Sequence, residues 1–514
     1  MKTLKQTLLA AAIICTLNSC ENDDNSVGIP PVNTSVNFQY KNTITVGGEG
    51  AAEISAFDPT TNKLFTVNTE MDQISVYDLS NINAPVMGTP IDVSSFGAPN
   101  SVAVNNGKLA IAVEASNKQA AGKVYVYNTA DNSLANEYMV GSLPDMVTFT
   151  KDGNYILSAN EGEPNADYTI DPNGTVSIID LINNNVTTLD FTAFNSQEAT
   201  LEAQGFRVFG PNANLAADVE PEYITVSEDS QYAWVSLQEN NGIARINLLT
   251  KTIEAIYPLG FKDYSVAGNA IDASDKDNVN ELKTWPVYGI YQPDAITSVN
   301  INGTDYVISA NEGDSREYEG MPGYVGESRV KDLVLDETAF PASENYQDNE
   351  NIGRLKVAID IGDTDGDGDY DKLYNYGARS FSIWSADGNL VYDSGNEIST
   401  RVLAETPERF NWDWEDDATD KRSDDKGAEP ETVEVLNIGN ERYILFVGLE
   451  RNSQVMVYDI TNPTAPQFLQ ILQRSTDYAP EGVLVVKAED SPTGKALLII
   501  SYEDSGTVSI YENQ

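Results

Sequence analysis

The chain has 514 residues, with 79 Asp and Glu against 31 Lys and Arg; a formal net charge of −48 repels nucleic acid and anionic lipid headgroups and attracts cations. It contains no histidine, and its only cysteines are Cys15 and Cys20. That excludes Ser-His-Asp and Cys-His machinery, imidazole general bases and His-ligated zinc, so any bound metal must take oxygen ligands, as calcium, magnesium and manganese do.

Lys2 and Lys5 precede an apolar run, Leu8 to Leu17, that is too short to span a bilayer stably, the layout of an export signal. The run ends in Leu17-Asn18-Ser19-Cys20, which resembles the cleavage box of bacterial lipoproteins. On that reading residues 1–19 are a lipoprotein signal peptide and Cys20 is the lipidated first residue. The expected location is then the outer membrane, at the cell surface, through acyl chains. The alternative is an ordinary secretory signal, with Cys20 left in the mature chain. Removing residues 1–19 takes away Lys2 and Lys5 and moves the charge from −48 to −50. It also removes Cys15, so the mature fold has no disulfide. Residues 20–37, rich in Asn, Pro and Ser, read as a flexible tether.

From residue 38 the chain repeats itself, most legibly between Pro144 and Gly162. Met146 to Thr150 alternates like a strand, Asp152-Gly153 makes a turn, and Tyr155 to Ala159 is an apolar run fit for a buried strand. Asp145 stands just before the first strand and Glu161 just after the second. Pro293-Asp294 leads in the same way to Glu312, Pro221-Glu222 to Glu239, Pro430-Glu431 to Glu450 and Pro480-Glu481 to Glu503. Glu53 leads to Glu70, and Pro99-Asn100 to Glu114, making seven units. A third strand follows in most of them (ISVYDL, KVYVYN, TVSIID, GIARIN, FSIWSA, QVMVYDI, TVSIYE), then a more variable fourth. Four short antiparallel strands repeated seven times predict an all-β fold, a seven-bladed β-propeller of the WD40/YVTN-like type. The last unit lacks a fourth strand, and Phe38 to Val46 reads as a spare one that closes the ring. Residues 38–514 are then one domain, with insertions near 195–218, 260–285, 314–377 and 396–428. Long insertions on a rigid scaffold are where function concentrates.

The longest insertion carries Asp363-Thr-Asp365-Gly-Asp367-Gly368-Asp369-Tyr-Asp371. Oxygen ligands fall at loop positions one, three, five and nine, and the glycine at six allows the chain to wrap a calcium ion. A main-chain carbonyl near Asp369 is a further expected ligand. Tyr374 stands where an EF-hand has its bidentate glutamate, and no flanking helices are evident, so the pattern is closer to the calcium hairpins of propellers. The expected role of this Ca2+ is structural.

In a propeller the loop entering each first strand and the loop leaving each second strand lie on one face. The thirteen carboxylates named with the repeats are therefore expected around one mouth of the central channel, with Asn100 in the fourteenth place. Two readings stay open: strand-end carboxylates that bond backbone N–H groups, or ligands of a second divalent cation. The metal reading carries most weight at Glu161 and Glu312, which share a Ser-Ala-Asn-Glu-Gly context, with Asp145 and Asp294 as partners. Arg316, Arg379, Arg409 and Arg451 lie beside these turns or in the insertions, placed to pair with carboxylates or hold an anion such as phosphate. Trp412 and Trp414 offer either a sugar-stacking surface or a pin for their loop.

The units LPDMVTFTKDGNYILSANEGEP, QPDAITSVNINGTDYVISANEGDSREY, GARSFSIWSADGNLVYDSG, DDKGAEPETVEVL and YILFVGLERNSQVMVYDITNP together resemble the choice-of-anchor I family. That family includes mesenchyme-type cell-surface glycoproteins and bacterial members labelled alkaline phosphatases. The resemblance runs from Phe38 to Asn513 and implies a secreted or surface-anchored seven-bladed propeller. Two functional classes follow as expectations: a calcium-stabilised binding or structural module for an unknown surface ligand, or a divalent-metal-dependent phosphoesterase acting on a small anionic substrate. A lactonase-type reaction is a third. In each case a monomer without nucleic-acid partners is expected.

Overall fold

The computed structural model describes residues 35–211, 213–318, 320 and 325–514; the signal segment, Cys20 and the tether up to residue 34 lie outside the described residues. The fold is all-β. Ser55–Asp58, Pro99–Asn105, Pro144–Phe149, Ile224–Val226, Ile296–Ile301, Pro430–Asn437 and Pro480–Val486 each open an antiparallel sheet of four strands, the first sheet having a fifth. These opening strands touch one another in chain order, and Pro480–Val486 returns to Ser55–Asp58, so they run around a common axis.

Burial explains why the residues take these places. Second strands such as Tyr155–Asn160 and Leu497–Tyr502 are buried along nearly their whole length, because neighbouring sheets cover both faces; hence their unbroken apolar runs. Fourth strands such as Asn185–Asp190 are largely open to water and carry polar residues. Leu157 and Val176 of one sheet pack with Ala233 and Val235 of the next, and comparable clusters fill the other gaps between sheets.

Phe38–Thr45 pairs antiparallel with Thr507–Asn513, from Phe38 opposite Asn513 to Thr45 opposite Thr507, and is the fourth strand of the last sheet. The Phe38 ring meets Phe446 of the preceding sheet edge-on at 5.0 Å. A variant lacking everything up to Thr45 is expected to aggregate, because the backbone edge of Thr507–Asn513 and the Phe446 face are laid open. Light scattering checks this; a soluble monomer with unchanged melting would show that the edge needs no cover.

The connections are unequal. First-to-second and third-to-fourth turns are short and lie on one face. All four insertions fall between second and third strands or between a fourth strand and the next opening strand, and so lie on the other face. The longest leaves the scaffold at Gly313 and rejoins it at Gly377. These two glycines are packed backbone to backbone with φ of +84° and +70°; a Cβ on Gly313 would stand 2.0 Å from the Gly377 nitrogen. The insertions are stitched to one another. Phe261–Asp263, Tyr288–Ile290 and Tyr374–Asn375 form one small sheet. Arg379 donates to the carbonyls of Asp272, Ser423 and Asp425.

Candidate functional site

Register brings the acidic residues together. Pro144 pairs with Asn160, so Asp145 sits beside Glu161; Pro430 pairs with Leu449 and Pro480 with Tyr502, which sets Glu431 beside Glu450 and Glu481 beside Glu503. In each case the ladder slips just after the proline. A slip of this kind re-aims the side chain that follows the proline. Nothing in the alternation of the residues marks these irregularities.

Two chambers open on this face. The axial one, about 400 Å³, is walled by Glu53, Asp145, Glu161, Asp294, Glu431 and Glu481, with Met146 and Tyr223 also lining it. Burial, and then the neighbouring carboxylates, push Glu53 up to about 8 and Asp145 up to about 7. Thr69 donates to Glu53 at 2.7 Å and opposes this only in part. Glu161, Glu222, Glu431 and Glu481 are likewise raised well above the usual carboxylate range, first by burial and then by neighbouring carboxylates, Asp145 for Glu161, Glu239 for Glu222 and Asp294 for Glu431 and Glu481. Glu114 has Lys118 at 3.7 Å.

The second chamber, about 500 Å³, lies under the insertions and shares Glu161 and Glu163 with the first. Glu220, Glu239 and Arg316 line it together with Lys356, Arg422, Lys426 and Arg451. Here charge is compensated within the chain. Arg316 is buried against Asp218 (2.9 Å) and Glu220 (3.0 Å). Lys426 pairs with Glu312 and with Glu429 (3.3 Å), and Gln238 donates to Glu312 at 2.8 Å. Glu429 is fully buried and also meets Arg422 (2.8 Å) and Arg451 (3.4 Å). Against the cost of burial, Lys426, Arg422 and Arg451 hold Glu429 down at about 2.

The sequence-derived candidates thus separate. Asp294, Glu312 and Glu431 present carboxylate oxygens within 4.8 Å of one another, and Glu312, Glu429 and Glu450 do the same; Glu161 and Asp145 belong to neither group. Glu70 fits the backbone-capping reading. It sits in the single turn Thr69–Met71 and accepts from the Gly48 N–H at 2.8 Å, acting as a backbone cap. Glu429 and Glu220 are not singled out by the repeat; their signal in the sequence is an extra acid immediately ahead of Pro430-Glu431 and Pro221-Glu222.

In the Asp363 loop, Asp363, Asp365 and Asp371 bring their oxygens within 4.8 Å, a donor set suited to a hard cation. Asp363 also accepts from Gly366 and Gly368, and Asp371 from Thr364. Asp367 accepts from the Asp369 N–H and stands outside the triad, while the Asp369 carboxylate groups with Asp371 and Asp336. Asp336 arrives through a parallel bridge between Leu335 and Tyr370, invisible in the local motif. Of the tryptophans, Trp412 is buried, Arg409 lies 3.7 Å over its ring, and Trp414 stacks on Tyr478 at 5.6 Å. That arrangement pins the loop.

The choice-of-anchor I domain model matches residues 53–463. Gigasin-3a of Magallana gigas is 30% identical over 190 residues, covering 32% of this chain and 66% of that protein, so the match spans just under two thirds of that relative. Among solved structures, hydrazine synthase of Kuenenia stuttgartiensis aligns at 11% identity and a TM-score of 0.48, over 90% of this chain and 96% of that one. The Cps50 (Swd1) beta-propeller domain of Myceliophteria thermophila aligns at 8% identity and 0.45, over 93% and 100%.

Proposed function

Given that the chain belongs to the choice-of-anchor I family, we propose that it is a surface-anchored β-propeller of seven blades acting as a calcium-stabilised binding module. The observation that carries this reading is the segregation of the two faces. Insertions and carboxylate chambers share one face, whereas Ser35, where the described chain begins, bonds to Gln514 beside the short turns of the other. A lipid anchor at Cys20, making the protein an exported outer-membrane lipoprotein at the cell surface, would then hold the plain face towards the membrane and the acidic mouth outwards. The pairing of Phe38–Thr45 with Thr507–Asn513 supports closure of the ring by the N-terminal strand. The mouth is the ligand site, and a second divalent cation there is part of the reading, with Asp145, Glu161, Asp294 and Glu312 among its candidate ligands. The negative charge of the chain argues against nucleic acid as its partner, and the protein is expected to be a monomer.

Calcium is assigned to Asp363, Asp365 and Asp371, with Asp367 and the Asp369 main chain completing the shell. A cation that binds only the folded state stabilises it by about 2.7 kcal/mol at a hundredfold excess over Kd. In chelator-stripped protein the melting temperature should therefore rise with calcium, and the double variant Asp365→Ala, Asp367→Ala should lose that component. A double variant that keeps the wild-type calcium titration would remove the loop from the reading.

A second reading, a divalent-metal phosphoesterase, is favoured by one observation: Lys356, Arg422, Lys426 and Arg451 line the same chamber as Glu161 and Glu239. Each of these cations already faces a carboxylate. Release of phosphate from a phosphomonoester by metal-loaded protein would move the assignment to this class.

A further inference from the structure

The central channel has a second end. A chamber of about 1040 Å³ opens among the first-to-second turns, on the face opposite the insertions, and Met146 and Tyr223 line both this chamber and the axial one. The repeat itself builds the wall. Counting three residues on from the acid or asparagine that enters each first strand gives Ala56, Ala103, Thr148, Thr225, Thr297, Glu434 and Leu484. One level of the channel is thus small, apolar or hydroxylic in six units and acidic in one. The last five of these residues line the chamber.

Glu434 is only half provided for. Its Oε1 accepts from the Val435 N–H at 2.8 Å and from the Thr297 hydroxyl at 3.4 Å, while Oε2 has no hydrogen bond and the carboxylate no ion pair among the described residues. The Thr225 hydroxyl is engaged by Ser298 at 2.8 Å. Burial raises the Glu434 carboxyl above its usual range, and Lys151, the Val435 N–H and Thr297 oppose this only in part. The chemistry of the wall selects an occupant. A divalent ion wants several oxygens, and Glu434 belongs to none of the acid groups whose oxygens converge within 4.8 Å among the described residues. An anion would meet Glu434 and the rim acids Glu228, Asp229, Asp305 and Asp490 against only Lys151 and Lys487. An organic ammonium suits both parts of the wall. It brings charge to the lone carboxylate and carbon to Met146, Leu484 and the Tyr223 ring, and an aromatic face attracts cations.

We propose that this chamber binds a linear polyamine, with one ammonium on Glu434 and the alkyl chain running out past Leu484 to further ammonium groups at the acidic rim. The site lies at the opposite end of the channel from the acidic mouth and does not rest on reading that mouth as a ligand site.

The test is a calorimetric titration of the full chain with spermidine at physiological ionic strength, where loose attraction to exposed acids is screened. One molecule per chain is expected. Glu434→Gln should weaken binding at least tenfold, because an amide keeps the shape and loses the charge. Thr297→Lys supplies an ammonium beside Glu434 from the neighbouring first strand and should also abolish binding. It stands in for Glu434→Gln if circular dichroism shows that variant unfolded. Glu344→Gln, which removes an exposed acid of the longest insertion, should leave the affinity within about twofold. Full affinity in Glu434→Gln or in Thr297→Lys overturns the proposal. So does a titration that Glu344→Gln weakens as much as Glu434→Gln, since the polyamine would then be reading net charge alone. Absence of binding to the wild-type chain overturns it as well, and so does equal binding of an uncharged diol of the same length.

Discussion

Replacing Lys426 with methionine is expected to lower stability by about 3–5 kcal/mol, the usual cost of removing one partner from a buried ion cluster. Lys426 stands between Glu312 and Glu429, and the second of these is fully buried. Its removal leaves Glu312 with only Gln238 and leaves Glu429 to Arg422 and Arg451. The pH dependence should change with it. The folded pKa of Glu429 is depressed to about 2 from 4.5, so its contribution is present above about pH 4.5 and is lost as pH falls towards 2. The methionine variant should have less of this contribution to lose. Chemical denaturation at pH 7 and pH 4 measures both effects, and Glu312→Gln in the Lys426→Met background should recover part of the loss. A loss below about 1 kcal/mol at pH 7 would mean that the cluster is solvated well enough to do without its lysine.

The second large effect is a stability that falls as the solution becomes more alkaline. In chelator-treated protein the mouth holds carboxyls whose folded pKa values lie above their unfolded ones: Glu53 at about 8 and Asp145 at about 7 in the axial chamber, and Glu450, grouped with Glu312 and Glu429, at about 7. A carboxyl of this kind binds more protons folded than unfolded. It therefore favours the folded state at low pH and loses that advantage as pH rises from about 4.5 through the folded pKa. At about 1.4 kcal/mol per pKa unit, trimmed by screening at the mouth, the sum between pH 5 and pH 8 is on the order of several kcal/mol. Carboxylates with the opposite shift, Glu429, Glu512 and Asp180, each near 2, act at more acid pH and do not mask the slope. The melting temperature without metal should thus be highest near pH 5 and several degrees lower at pH 8. Saturating divalent cation should flatten part of the curve, because an ion held by Asp145 stabilises that carboxylate in its charged form. A metal-free curve that is level or rises towards pH 8 would mean that the mouth carboxylates ionise freely in the folded protein.

Much of this was legible in the residues. The alternation of Met146 to Thr150, the Asp152-Gly153 turn and the apolar run that follows specify a hairpin on local grounds, since period-two burial and turn chemistry need no distant partner. Repetition of that hairpin put an acid at both ends of nearly every unit, and antiparallel pairing then obliges those ends to meet, as Asp145 and Glu161 do. The spare strand, the four insertions and the oxygen-ligand loop followed from counting. Which acids are neutralised did not. Lys426 reaches Glu312 across more than a hundred residues, and Arg316 reaches Asp218 and Glu220 across nearly as many. These cations sit on insertions, whose course has no periodicity to betray it. Asp336 joins the Asp369 group through a single bridge at Leu335. Glu70 turned to cap Gly48 because its strand ends in a one-turn helix that the repeat does not predict. Local hydrogen-bond ladders are written in the order of the residues. The pairing of long charged side chains is decided only when non-repeating loops fold back over the mouth, and so the sequence determined the ring of acids while the tertiary structure decided which of them are left without a counter-charge.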